Sequence, residues 1–203
     1  PIHMEEDGVD LLAFTGHKSL YGPQGTGGLV IGERVNEKEM IPLKQGGTGS
    51  RSEFEEQPDF LPDRFESGTP NGIGLAGLLA GVRFVLGKGV DQIRQNESRL
   101  MDKLIVGLGK IPGLELYGPE SSTDRIATLS FNLSGISSSD VAFRLDKEFG
   151  ILCRSGLHCA PSVHRTIGTF AKGTVRFSLS LFNTEDEIEA AVRAVSRIAK
   201  ERA

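Results

Sequence analysis

Apolar positions change their period along this chain, and the changes divide it into segments. Val9, Leu11, Leu12, Ala13 and Phe14 form a short, nearly continuous apolar run, with the length and composition of a strand buried on both faces. Leu29-Val30-Ile31, set between Gly28 and Gly32, predicts a second short buried strand. Residues 33–70 show no period and are rich in Gly, Pro, Glu and Ser, including Gly46-Gly47-Thr48-Gly49-Ser50. A loop this long is usually functional or disordered. Residues 72–86 then carry Ile73, Leu75, Leu78, Leu79, Val82, Phe84, Val85 and Leu86 on most faces of a helix, which predicts a buried helix. Asn71 stands where its N-cap belongs. Gly87 and Gly89 interrupt the pattern and place a domain boundary between 1–86 and 87–203.

Beyond that boundary the pattern alternates between periods. Val90, Ile93, Leu100, Leu104, Ile105 and Leu108 share one helical face until Pro112-Gly113. Residues 114–117 and 126–131 read as strands. Residues 139–149 read as a helix with Val141, Ala142, Leu145 and Phe149 inward, and Gly150 sits at its C-terminal cap. Residues 151–154 and 174–180 are again strand-like. Thr184 and Glu187 form a capping box that opens a last helix with Ile188, Ala191, Val192, Val195, Ile198 and Ala199 as its buried stripe. The expectation for 87–203 is a small α+β domain, a short sheet covered by helices.

Composition narrows the function classes. The chain has 203 residues, room for one large domain or one and a half small ones, and its 38% hydrophobic content supports a sizeable core. A net charge of −4 without a basic block argues against general affinity for nucleic acid or anionic membrane. No run is long and apolar enough to span a bilayer, and no signal-peptide pattern is present. Two cysteines are too few for a disulfide framework, so a reducing, cytoplasmic setting is the expectation. Pro1 stands first and a strand begins almost at once, so the chain is expected to be entered in its middle.

The first chemical cluster follows the first strand: Thr15-Gly16-His17-Lys18-Ser19-Leu20-Tyr21-Gly22-Pro23-Gln24-Gly25-Thr26-Gly27-Gly28. The strand delivers Lys18 to a glycine-rich turn at its own end, where open α/β sheets place their active sites. A lysine flanked there by a hydroxyl and an imidazole suits a Schiff base with an aldehyde cofactor. Thr-Gly-His-Lys followed by Tyr-Gly-Pro-Gln-Gly resembles the cofactor-lysine segment of the class V aminotransferase family, which uses pyridoxal 5′-phosphate. The match is closest to the branch holding cysteine desulfurases and selenocysteine lyases. By that resemblance Lys18 carries the Schiff base, and Thr15 and His17 contact the cofactor phosphate. Arg64-Phe65-Glu66-Ser67-Gly68-Thr69-Pro70-Asn71 resembles a family segment that crosses a dimer interface, with Thr69 reaching the phosphate of the partner subunit.

A second cluster, Arg154-Ser155-Gly156-Leu157-His158-Cys159-Ala160-Pro161, lies between two predicted strands, with His164 beyond it. Ser155 and Gly156 read as a flexible entry and Pro161 as the exit. A thiol on such a loop is accessible, and a neighbouring arginine or histidine favours its nucleophilic thiolate. The segment resembles the sulfur-accepting loop of group II cysteine desulfurases, with Cys159 at the position that receives the persulfide. Cys153 reads as a buried structural cysteine inside an apolar strand. A metal module built from Cys153, His158, Cys159 and His164 is the rival, but paired Cys-x2–4-Cys and His-x3–5-His ligands are missing, so no metal is expected. In Thr174-Val175-Arg176-Phe177-Ser178-Leu179-Ser180, strand alternation puts Arg176 with Ser178 and Ser180, opposite Val175, Phe177 and Leu179. A guanidinium fork amid hydroxyls suits a carboxylate, and the run resembles the family segment that holds the substrate α-carboxylate.

The resemblance covers essentially the whole chain, but only the latter half of a typical member. It implies the end of the large domain (1–86) and the small C-terminal domain (87–203) of a fold-type-I, α/β enzyme. It also implies L-cysteine as substrate, L-alanine and a Cys159 persulfide as products, a homodimer, and a possible sulfur-acceptor protein. A selenocysteine lyase or other class V enzyme, and a non-catalytic fragment, remain the alternatives. In the family, the acidic partner of the pyridine nitrogen and the ring-stacking group precede the lysine strand. The chain alone is therefore expected to be inactive.

Overall fold

The computed structural model describes residues 2–47, 49–51 and 53–201. Pro1, Thr48, Ser52, Arg202 and Ala203 lie outside the described residues, and with them the first-residue reading at Pro1 and the glycine-loop reading at Thr48. The chain falls into two compact units, Pro1–Val90 and Asp91–Ala203.

In the first unit, β1 (Leu11–Thr15) and β2 (Gly27–Ile31) pair antiparallel, with Leu11 opposite Ile31 and Thr15 opposite Gly27. Both predicted strands are present with their ends moved by one or two residues. Neither is buried: Leu11 and Leu29 are 46% and 48% exposed. The sheet has two strands only, so among the described residues no further strand flanks it. The helix α1 (Gly72–Lys88) also departs from the expectation of general burial. Only Gly74, Leu78 and Gly81 are covered, while Ile73 is 91% exposed. Gly87 lies inside this helix, and Gly89, at φ 83°, is its C-cap. Asn71 caps the start by accepting the Gly74 N–H at 2.9 Å. Within 33–70, single helical turns at Glu37–Glu39 and Asp63–Phe65 are joined by Arg64, whose guanidinium donates to the carbonyls of Lys38 and Met40 at 3.1 and 3.0 Å.

The second unit begins within α2 (Val90–Gly109) and continues β3 (Leu114–Tyr117), β4 (Thr128–Leu133), α3 (Ser138–Phe149), β5 (Arg154–Gly156), α4 (Pro161–Thr166), β6 (Thr174–Ser178) and α5 (Glu185–Glu201). Its sheet has the order β3-β4-β6-β5, with every neighbouring pair antiparallel. Leu129, Phe131 and Leu133 of β4 and Val175 and Phe177 of β6 face a core shared with Leu100, Leu104 and Leu108 of α2, Val141 and Leu145 of α3, and Ile188, Val195 and Ile198 of α5. The predicted caps are in place. Gly150 adopts φ 65° and donates to the carbonyls of Asp146 and Leu145. Thr184 N–H donates to Glu187 Oε2 at 2.9 Å, and Glu187 N–H donates to Thr184 Oγ1 at 3.3 Å.

Three readings around the cysteine cluster change. Ser155 and Gly156 are not a flexible entry but part of edge strand β5, paired with Val175 and Thr174. Cys153 lies just before that strand rather than within it, half-buried and packed against the core. Pro161 is not an exit but sits in the first turn of α4, which suits its fixed φ and missing N–H. Six residues of helix are too few to show a period in sequence.

Leu104 is fully buried in this core and Val106 on the same helix is exposed. Leu104→Ala is expected to cost about 3 kcal/mol, and Val106→Ala less than about 0.5 kcal/mol, in denaturant unfolding of the natural protein. Equal losses would contradict the assigned core.

Candidate active site

The lysine cluster of the first unit is a hydrogen-bonded turn seated on α1. Gly16 N–H donates to Thr26 O at 2.9 Å and carries the β1–β2 ladder one step further. Tyr21 N–H donates to Lys18 O and Gly22 N–H to Gly16 O, both at 2.9 Å, while Thr26 Oγ1 donates to Pro23 O at 2.6 Å. Tyr21 takes φ 55°, and its ring meets Phe84 edge-on at 5.8 Å. The seat is a glycine face on α1. A Cβ on Gly81 would stand 2.2 Å from the Leu20 carbonyl oxygen, and one on Gly77 would stand 2.5 Å from Pro23 Cγ. Leu78 fills the space beside Gly16 and Gly22. The sequence reading missed this seat. Its signal was Gly77 and Gly81, four residues apart and so on one helical face.

Thr15, His17 and Lys18 are all exposed at this turn, within four positions of one another. Thr69 is exposed on a separate segment, two residues before the Asn71 cap. An accessible amine on a hydrogen-bonded turn, next to a hydroxyl and an imidazole, fits a group that is held covalently through an aldehyde and electrostatically through a phosphate.

The second unit holds the thiol. The register of the sheet places Tyr117 opposite Ser130, Ser130 opposite Arg176, and Arg176 opposite Arg154, one polar row across all four strands. As the alternation required, Val175 and Phe177 face the core and Arg176 the other side. A cleft of about 270 Å³ opens on that side, lined by Arg176, Tyr117, Arg125, Ser130, His158, Ala160 and His164 among others. Cys159, exposed, lies between two of those lining residues, His158 and Ala160. Arg125 is held by the carbonyls of Pro119 and Tyr117 at 2.9 and 3.0 Å. Tyr117 donates to Glu115 Oε2 at 2.6 Å, and burial together with this bond pushes its hydroxyl up to about 12.

His158 Nε2 lies 3.1 Å from both the carbonyl oxygen and Oγ1 of Thr174. A carbonyl can only accept, so Nε2 carries the proton, and the buried Nδ1 has no partner. Burial holds this imidazole below the ordinary histidine range, with Arg176, His164 and Arg154 adding to the effect against a smaller opposing one from Thr174. His164 is 3% exposed, and its Nδ1 meets Thr169 Oγ1 at 2.7 Å. The two imidazoles lie 5.6 Å apart. Both cysteines are free, and burial, with the Asp146 carboxylate second, pushes the Cys153 thiol up to about 11. Among the described residues, no group of three or more His, Cys, Asp or Glu side chains could hold a metal ion. His158 and Arg176 thus line one cleft in the second unit, with Cys159 next to His158 in the chain, while Thr15, His17, Lys18 and Thr69 belong to the first.

Comparisons with known proteins converge. A probable cysteine desulfurase of Xylella fastidiosa is 38% identical over 98% of this chain and 47% of its own length. A cysteine desulfurase of Escherichia coli is 37% identical over 98% of this chain and 48% of its own. The chain therefore spans about half the length of these curated relatives. Among solved structures, a cysteine desulfurase from Thermococcus onnurineus superimposes with a TM-score of 0.85 at 34% identity, covering 98% of this chain and 49% of that one. A cysteine desulfurase from Escherichia coli in an S-sulfonic acid form gives 0.83 at 30% identity, over 99% of this chain and 48% of that one. The family described as Aminotransferase class-V matches residues 1–191, and with the α/β architecture shared by these structures, this chain belongs to that family.

Proposed function

We propose that this chain forms the latter half of a pyridoxal 5′-phosphate-dependent cysteine desulfurase. In this reading the first unit is the end of the cofactor-binding large domain and the second the small C-terminal domain. One observation carries the reading. The residues on either side of an exposed thiol, His158 and Ala160, line the same cleft as an arginine presented by a strand. In this reading a substrate held by its carboxylate at Arg176 presents its β-substituent toward the turn that carries Cys159.

The roles follow from the chemistry of each group. Lys18 would hold the cofactor's aldehyde carbon, and Thr15, His17 and Thr69 of a second copy would hold its phosphate. When bound, the cofactor supplies an electron sink for charge developing at the substrate Cα. Lys18 Nζ, once released, moves protons at that carbon. Arg176 donates two parallel hydrogen bonds to the α-carboxylate. Cys159 thiolate attacks the substrate sulfur: the S–S bond forms, the Cβ–S bond breaks, and its electron pair returns to the carbon skeleton, which takes up protons to become alanine. The thiol is left as a persulfide, ready for an acceptor thiol.

The natural protein, supplied with cofactor and L-cysteine, is expected to release alanine. Cys159→Ser should keep the cofactor absorbance and lose most sulfur release, whereas Cys153→Ser, at a half-buried thiol of raised pKa, should be mild. Full activity in Cys159→Ser would remove the sulfur-acceptor role. Selenocysteine turnover that survives in the same variant while cysteine turnover fails would point to a lyase instead.

Arg176→Lys keeps the charge but not the two-point fork, so kcat/KM should fall roughly ten- to hundredfold; an unchanged value takes Arg176 out of the site. Gly81→Ala places a Cβ against the Leu20 carbonyl and displaces the turn that carries Lys18. The variant should fold yet retain cofactor poorly in dialysis, and retention equal to wild type would show that the glycine seat does not position the lysine.

A further inference from the structure

Cys159 occupies a turn that its side chain disfavours. Ala160 N–H donates to Leu157 O at 2.8 Å, closing a four-residue turn whose central residues, His158 and Cys159, have φ of 52° and 60°. Positive φ at both central positions belongs to mirror-image turns, which are dominated by Gly, Asn and Asp. Neither residue here is one of those, so each is strained, and such strain persists only where the surroundings hold it.

The main side-chain hold on the turn is the His158 ring. Its Nε2–H reaches both the carbonyl oxygen and the hydroxyl of Thr174 at 3.1 Å. Thr174 is fully buried on β6, two residues before Arg176. The strand that presents the guanidinium thus also grips the turn that presents the thiol.

We infer that the His158–Thr174 contact is a positioning clasp that holds Cys159 at a fixed offset from Arg176. The part of this that concerns substrate rests on the desulfurase reading; the clasp itself is a property of the turn. His158 acts in it as a hydrogen-bond donor from Nε2, with its Nδ1 buried and unpartnered, and is a positioning residue rather than an acid or base.

The test uses the full-length holoenzyme with His158→Ala, His158→Gln and Thr174→Val. Glutamine places an amide N–H near the position of Nε2 but cannot shuttle a proton. Three quantities are read: hydrogen exchange at the Ala160 amide, the single-turnover rate at which Cys159 gains one sulfur from L-cysteine, and KM. His158→Ala should speed exchange and slow sulfur gain, each by roughly five- to tenfold or more, with KM within about twofold. His158→Gln should restore most of both rates. Thr174→Val, which keeps the carbonyl acceptor, should fall between, and it carries the test if His158→Ala fails to fold. Glutamine behaving like alanine would overturn the clasp in favour of acid–base chemistry, and unaltered exchange in all three variants would overturn it outright. The expected exchange changes in a holoenzyme whose Cys159 never gains sulfur would uphold the clasp while removing the desulfurase reading.

Discussion

The burial of alternate residues on β6 is the constraint on which the second unit depends. Val175 and Phe177 are locked into a core that Leu129 and Phe131 of the neighbouring strand complete. Complete burial of such side chains is worth about 1.5–3 kcal/mol each. A slip of one residue would exchange that for a buried guanidinium and exposed valine and phenylalanine. Thr174 and Arg176 therefore have no choice of face. The same rule on β3 and β4 sets Tyr117 and Ser130 in line with Arg176. The polar row that faces the cleft is a by-product of the apolar one behind it.

What the sheet cannot supply, the turn does. The sulfur proposed as nucleophile must be accessible, which excludes the core side, and stationary, which a free loop does not achieve. The positive-φ turn at His158 and Cys159 meets both needs because it is short, hydrogen-bonded and tied to β6. Cys153, six residues earlier, shows the opposite outcome: packed against the core and facing a carboxylate, it is held in the thiol form.

The two units differ in how completely they cover their apolar residues. The second closes a core in which Leu100, Phe131, Leu145 and Val195 are shut off from solvent. The first exposes Leu11, Leu29, Ile73 and Leu86, a surface of the kind that associates with other apolar surface. What α1 does bury is mainly its glycine face, where Gly81 meets the Leu20 carbonyl and Gly77 the Pro23 ring. The lysine turn is seated by that close approach together with Leu78 and the Tyr21–Phe84 ring contact.

The sequence by itself determined what local rules decide. The Asn71 cap, the left-handed Gly150, the Thr184–Glu187 box and the direction of Arg176 each depend on residues within five positions, and each was legible. So were the motifs around Lys18 and Cys159, since their resemblance lies in residue identity. Tertiary structure decided what depends on distant partners. The burial predicted for α1 failed because apolarity states a need for cover without naming what provides it, whereas the partial exposure of Leu11 and Leu29 is what a sheet short of most of its strands requires. The strand pairing of Ser155 and Gly156, the seat of Leu20 on Gly81 and the His158–Thr174 contact join residues far apart in the chain. No window of sequence contains both halves of such a contact, and its energy is realised only when the fold brings them together.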